Sequence, residues 1–284
     1  FVIVNDGSND NAPEILEDYA RKDTRIRLIH QENQGLTMAL VRCCQEARAP
    51  FIARQDGDDY SLPGRLAKQA ELLRGDPGLA MVSCWADVLG PRDELLLTLR
   101  RDSDSVKATD MLLHGRTGPP GHGSVMLRKD VYERVGGYRP AFYFAQDSDL
   151  WLRMVRIGRI AYVQETLYQY RVNAESISGR LHFLKMPYAE LVEEVRRAAI
   201  ENRSDDHVLE MARALPTGAA TGGRHDYRDT TLYFIGKCLY DRLDRRCVRY
   251  FVDALRVNPL LVHAWFYLAL SLSLWAQSRG HRSS

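Results

Sequence analysis

Three carboxylates stand within four residues at Asp56-Gly57-Asp58-Asp59. Like charges that close repel, so a folded site must hold a counter-cation or raise their pKa values. A hard divalent cation such as Mg²⁺ or Mn²⁺ meets that need, because it takes oxygen ligands and shares them with substrate phosphates. Asp and Gly are also ordinary turn formers, so a solvated turn accounts equally for this motif taken alone. A second polar turn, Asn5-Asp6-Gly7-Ser8, follows the apolar run Phe1-Val2-Ile3-Val4. Further along, Gln146-Asp147-Ser148-Asp149 leads into Leu150, Trp151, Met154 and Val155 at helical spacing.

Regular elements must carry these turns. Residues 1–4 read as a strand, and Asn11-Ala12-Pro13 opens a helix, since Pro suits a first turn. Ile26 to Ile29 reads as a strand, Thr37 to Ala47 as a helix, and Phe51 to Arg54 as a third strand entering the acidic turn. A helix then runs through Leu73, and residues 79–89 form another strand. This alternation predicts a parallel sheet with helices on both faces, whose ligands lie beyond the carboxyl ends of the strands. Both acidic turns fall at that edge. Residues 100–120 are expected to form a mobile loop, being polar and then rich in Gly and Pro. His122 to Leu127 is expected as a strand and Lys129 to Val135 as a helix ended by Gly136-Gly137. Asp147 to Ile157 reads as a helix.

The chain has 284 residues, 45% of them apolar, with a net charge of +2, which excludes a wholesale binder of nucleic acid. Five cysteines without metal-ligand spacing fit reduced thiols and a cytoplasmic setting. The apolar start is too short for a signal peptide and lacks a basic lead-in. The expectation is that at least one strand precedes Phe1.

Four motifs in order resemble family 2 glycosyltransferases, over about 175 residues. Val4-Asn-Asp-Gly-Ser8 is similar to that family's first acidic motif, with Asn5 where Asp is usual. Gln31 to Leu36 resembles its Asn-x-Gly loop, and Phe51 to Gln69 resembles its DxD region. His122 to Ser178 resembles the acceptor half, including Gln-Asp-Ser-Asp-Leu-Trp and Tyr-Arg-Val-Asn. The resemblance implies an α/β, Rossmann-like GT-A nucleotide-sugar-binding domain with a mostly parallel sheet over residues 1–180. A helical extension occupies 181–284.

It also implies roles. Asp6 would bond the nucleobase, unless it merely closes an Asx-turn, and Asn33 would lie in the donor site. Asp56 would lie near the ribose, while Asp58 or Asp59 would ligate Mn²⁺ or Mg²⁺ on the diphosphate. Arg65, grouped with the donor-binding residues, would support the acidic turn or be a solvated helix charge, and Arg171 would help hold phosphate. Asn173 replaces a frequent His, which removes a ligand there. Asp147 would be the general base that takes a proton from the acceptor hydroxyl. Gln146 replaces a usual Glu, which should lower the pKa of Asp147 relative to a Glu-Asp pair. Asp149 is the alternative base, with a helix-start charge as its simpler explanation. His122 would contact diphosphate or acceptor, with a structural role as the alternative. Trp151 would stack on a sugar or belong to the core.

The reaction implied is inverting hexosyl transfer from a nucleotide sugar, UDP-linked for preference, to a glycan, lipid-linked or cell-surface acceptor. The competing readings are a nucleotidyltransferase, which normally needs a Gly-rich phosphate loop, and a non-catalytic nucleotide-sugar-binding scaffold.

After Ser178 the pattern turns helical. Residues 216–226 read as a linker. Phe251, Ala254, Pro259, Trp265 and Leu268 have the spacing of one tetratricopeptide-like hairpin. Residues 257–278 carry no formal charge but are marginal for spanning a bilayer. A buried or homodimer-forming helix is the first expectation, and peripheral contact with the inner face of the membrane is the second.

Overall fold

The structure, a computed structural model, describes residues 1–173, 182–215 and 228–280, with side chains from 187 in the second span and up to 273 in the third. The expected 180/181 boundary, the 216–226 linker and the last five residues of the His122–Ser178 resemblance lie outside the described residues.

The first half alternates as the sequence predicts. Strands β1 (Val2–Asp6), β2 (Arg27–Gln31) and β3 (Phe51–Ala53) are separated by helices α1 (Ala12–Lys22) and α2 (Leu36–Glu46). A two-residue strand β4 (Tyr60–Ser61) and helix α3 (Arg65–Gly75) follow, then β5 (Leu79–Leu89) and β6 (Leu95–Leu99). The second half runs α4 (Ser105–Leu113), β7 (Met126–Arg128), α5 (Lys129–Arg134), α6 (Gln146–Met154) and β8 (Arg159–Arg171). Among the described residues five helices follow: α7 (His182–Ile200), α8 (Asp206–Arg213), α9 (Arg228–Asp241), α10 (Cys247–Val257) and α11 (Val262–Gly280).

The sheet corrects the expectation of mostly parallel strands. Only β1 with β2, and β5 with β8, pair in parallel. The pairs β3–β7, β4–β8, β5–β6 and β5–β7 are antiparallel. The physical reason lies in the connections. A short link such as that between β5 and β6 reverses the chain and lays the second strand antiparallel beside the first, whereas parallel neighbours need a long crossover. Among the described residues β1 and β2 form their own two-stranded sheet, while the larger, six-stranded sheet runs β3-β7-β5-β8-β4 with β6 beside β5.

The expected 100–120 loop contains α4. Asp104 caps it, accepting from the amides of Val106 and Lys107 at 2.8 and 3.1 Å. Such a cap satisfies orphan amides at a helix start. Ala108 and Leu112 give the helix a buried face. The strand expected at His122 begins instead as a 3₁₀ turn, His122–Ser124. Gly136 and Gly137, with φ of 78° and 65°, end α5 as predicted.

Four apolar clusters fill the interior, and two of them cross from the sheet region to the C-terminal helices. Phe142, Phe144 and Leu152 pack with Tyr188, Leu191, Val195 and Val208. Val88 and Leu96 pack with Ile235, Leu239, Phe251 and Leu255. Tyr250 on α10 also donates to buried Glu94, at 2.7 Å, in the β5–β6 turn.

Candidate active site

The acidic turn is held on every side but one. Gln55 staples it from within, its amide donating to the carbonyls of Asp56 and Asp59 at 2.9 Å each. Asp59 turns inward, 9% exposed. Its Oδ2 accepts from the Tyr168 hydroxyl at 2.7 Å and its Oδ1 from the Arg171 amide at 2.9 Å, so it fastens the turn to β8. Burial raises its pKa despite those two donors. Asp56 is half-buried and accepts from Arg54. Asp58 is exposed, and no described residue hydrogen-bonds its carboxylate. The structure thus separates the two metal-ligand candidates. Asp58 faces solvent, whereas Asp59 is withdrawn into the fold and is corrected to a fastening role.

Arg65 opens α3 and is only 2% exposed. It points back rather than outward, donating to the carbonyl of Gly123 and, at 2.9 Å, to that of Arg54. Its guanidinium lies 5.0 Å from the Tyr168 ring centroid. One turn on, Gln69 donates to Ser124 at 2.7 Å. Helix α3 therefore braces both the end of β3 and the His122–Ser124 turn. Arg65 is a buried brace, not a donor ligand. Arg171 is likewise committed: it donates to Asp93 at 2.6 Å and to the Tyr60 hydroxyl at 3.2 Å. The expected phosphate contact from Arg171 is corrected on that ground, since its guanidinium ties the β5–β6 turn to the acidic turn.

Gly123 shows how tightly these parts meet. A Cβ there would lie 1.8 Å from the Tyr168 hydroxyl and 3.1 Å from Oδ2 of Asp56. Only glycine fits.

Asp147 sits in the first turn of α6, half-buried. Its Oδ1 accepts from the Ser148 amide at 2.7 Å, and no donor is seen on Oδ2 among the described residues. Burial raises its pKa, opposed by the Ser148 amide and the charge of Arg54. Gln146 is buried, 7% exposed. The residue before it, Ala145, holds φ of 56°, the left-handed region that non-glycine residues avoid. Asp149 is fully buried and accepts from Arg153 at 2.6 Å and from Arg139 at 3.1 Å. That ion cluster removes it as an alternative base.

His122 meets Tyr138 at 2.6 Å through Nε2, with its ring edge-on to Trp151 at 5.9 Å. Burial and Arg54 hold its pKa well below the usual value, so it is neutral at pH 7 and offers phosphate no charge. Trp151 is 6% exposed within the largest apolar cluster, which corrects its expected sugar contact to core packing.

The second locus lies beyond β1. Asp6 accepts from Gln31 at 2.7 Å and from the amides of Gln34 and Gly35 at 2.9 and 2.8 Å. It organises the loop holding exposed Asn33 and keeps a lone-pair position for a ligand. The Asx-turn expected of Asp6 is made by Asn5, whose Oδ1 accepts from the Ser8 amide at 3.0 Å. Gly7, φ 74°, lets the two loops touch: a Cβ there would lie 2.9 Å from the Asn33 amide. The Thr37 hydroxyl donates to the Phe142 carbonyl at 2.7 Å, so α2 rests on the segment that delivers Asp147.

The residue that the sequence reading overlooked is Arg54. Its side chain is 12% exposed, its Nε is buried without a partner, and it pairs with Asp56 while acting electrostatically on His122 and Asp147. A basic residue just before an acidic turn was the available signal. For a metal, the donor set is hard oxygen, which suits Mg²⁺ or Mn²⁺. No cluster of three or more ligating side chains occurs among the described residues.

Comparison with known proteins concerns the chain's family and fold. The sequence model of the family described as glycosyl transferase family 2 matches residues 1–136. EpsE of Bacillus subtilis, a glycosyltransferase by assignment, is 33% identical over 185 residues, 63% of this chain and 65% of EpsE. The O-antigen biosynthesis glycosyltransferase WbnJ of Escherichia coli is 29% identical over 180 residues, 62% of this chain and 68% of WbnJ. The chain spans less than two thirds of EpsE and 57% of another relative, EpsJ of B. subtilis. Among solved structures, S. aureus TarS 1–349 superimposes with a TM-score of 0.52 at 15% identity, covering 94% of this chain and 77% of that one. Likeness at that identity concerns the fold, which is that of a GT-A glycosyltransferase.

Proposed function

We infer that this chain, which belongs to glycosyl transferase family 2 through its residues 1–136, transfers a hexosyl group with inversion from a nucleoside diphosphate sugar to a glycan, lipid-linked or cell-surface acceptor. The observation that carries this reading is the split of the acidic turn, with Asp59 turned inward onto β8 and Asp58 left exposed. UDP is the preferred nucleotide, supported by the complexes of TarS with UDP and with UDP-GlcNAc. The chain acts in the cytoplasm, where its five free thiols are at home, against the inner face of the membrane or as a dimer through its C-terminal helices.

In this mechanism Asp6 and the Asn33 loop receive the nucleobase side of the donor, and Asp56 lies toward the ribose. Asp58 would hold Mn²⁺ or Mg²⁺, which when bound neutralises charge on the departing diphosphate. Oδ2 of Asp147 takes the proton of the acceptor hydroxyl. The acceptor oxygen bonds to the anomeric carbon from the face opposite the diphosphate, and the bond from that carbon to the phosphate oxygen breaks. The charge of Arg54 opposes the effect of burial on Asp147, and its guanidinium pairs with Asp56. His122, being neutral, orients neighbouring groups through Tyr138 without competing for the proton.

Calorimetry with UDP and GDP, each with and without Mn²⁺, tests the donor site. Mn²⁺-dependent UDP binding, weakened about tenfold or more by Asp58→Ala, is the expected result (about 1.4 kcal/mol or more). Unchanged affinity in that variant removes the metal assignment.

A further inference from the structure

Over its described side chains, Val262–Ser273, helix α11 is mostly apolar and is covered on one side. Ala264 and Ser271 are fully buried, and Tyr267 and Leu268 pack against the α9–α10 pair. The opposite side presents Val262, Trp265, Phe266 and Leu272 at 72%, 55%, 58% and 56% exposure. Together with Ala269 these positions fall within about 120° of the helix circumference, given 3.6 residues per turn. Leu260, in the turn before the helix, is 86% exposed. The indole N–H of Trp265 donates to the Pro259 carbonyl at 2.9 Å, so its ring offers an apolar surface without an unsatisfied donor. A helix that is hydrophobic on all sides calls for an apolar cover on all sides.

Charge says what the cover is. Residues 228–284 carry nine Lys and Arg against four Asp and Glu, a net of +5, whereas the preceding 227 residues carry thirty against thirty-three, a net of −3. No acidic or basic residue lies between 257 and 278. The turn Arg242–Arg246, in which Arg246 pairs with Asp244 at 2.6 Å, lies level with the far half of α11 on its covered side, because Cys247 Sγ meets buried Ser271 Oγ at 3.4 Å. Within that turn Leu243 is 73% exposed, with a left-handed φ of 56° that presents it to solvent. A second copy docked on the same face would bring two basic turns into one interface, which costs affinity. An anionic lipid surface accepts both features, apolar side chains at the acyl boundary and arginines among the headgroups. No described helix is long and apolar enough to cross a membrane. We propose that the α11 face, with the Arg242–Arg246 turn, docks this chain in-plane on an anionic lipid bilayer. The proposal rests on this surface alone and is independent of the donor site.

The test is flotation of the whole chain with vesicles of phosphatidylcholine, alone or with phosphatidylglycerol, at low and at high salt. The expected result is binding to the anionic vesicles at low salt, weakened by salt as screening requires. Trp265→Ser with Phe266→Ser should weaken it about tenfold or more. Arg242→Gln with Arg245→Gln should remove the preference for anionic lipid. Far-UV circular dichroism and Tm serve as fold controls, since all four side chains are exposed. Failure of the native chain to float overturns the proposal, as does equal flotation of the Trp265/Phe266 variant. A native dimer in sedimentation velocity that the same variant converts to monomer also overturns it, in favour of a second copy.

Discussion

Asp147 is a carboxylate placed where its charge is disfavoured and then partly compensated. Burial raises its pKa, and only its ionised form can accept a proton, so transfer should rise with pH through that value. The expected kcat/KM profile therefore has an acidic limb above the ordinary Asp value of about 3.9. Asp147→Asn should lower kcat by about 10²- to 10⁴-fold while nucleotide affinity stays unchanged. Normal turnover by that variant would move the base elsewhere. The sequence singled out Asp147 by resemblance but passed over Arg54, and it could not separate Asp58 from Asp59. Adjacent identical residues differ only in what surrounds them, and the surroundings of Asp59 come from Tyr168 and Arg171, more than a hundred positions away. Arg171 and the solvated alternative for Arg65 failed for the same reason, whereas a supporting role for Arg65 beside the acidic turn agrees with its bond to the Arg54 carbonyl. Each lies near the right motif, yet its guanidinium is taken up by carbonyls, a hydroxyl or Asp93 that no local pattern announces.

At the scale of elements, the His122–Ser124 turn, β8 and the acidic turn meet at one point, where Gly123 lies under Tyr168. Tyr168 is fully buried and cannot withdraw. Gly123→Ala should cost about 1–3 kcal/mol by overpacking and should loosen Asp59 along with Tyr168. Denaturant unfolding reads the first effect and Mn²⁺-UDP calorimetry the second. An unchanged midpoint and affinity would show that the contact gives way without consequence. Elements were legible where apolar spacing was strong: β5 spans residues 79–89 as predicted, and α2 is displaced by a single residue. Helix α4 was hidden because its two buried residues, Ala108 and Leu112, sit among charged and polar neighbours. The antiparallel pairings were hidden because strand direction depends on which strand becomes the neighbour, a non-local choice.

Across the whole molecule, a buried ion cluster links the catalytic half to the helices. Arg139 pairs with Asp149 on α6 and, at 2.9 Å, with Asp205 just before α8. Arg153 completes the group at 2.6 Å from Asp149. Asp149→Asn leaves two buried guanidinium groups undercompensated, and the expected loss of stability is about 3–5 kcal/mol. Thermal and denaturant unfolding measure it, and a loss below about 1 kcal/mol would mean that water has taken the carboxylate's place. Two apolar clusters cross the same border, one through Phe142, Phe144 and Leu152 and the other through Val88 and Leu96. This bears on how such genes can recombine. A helical tail borrowed from a relative would arrive without its own partners at those five positions, and a chimera joined after β8 would inherit two mismatched cores. Tails of this kind should descend with their catalytic halves rather than travel as cassettes, and successful swaps should carry the five residues with them.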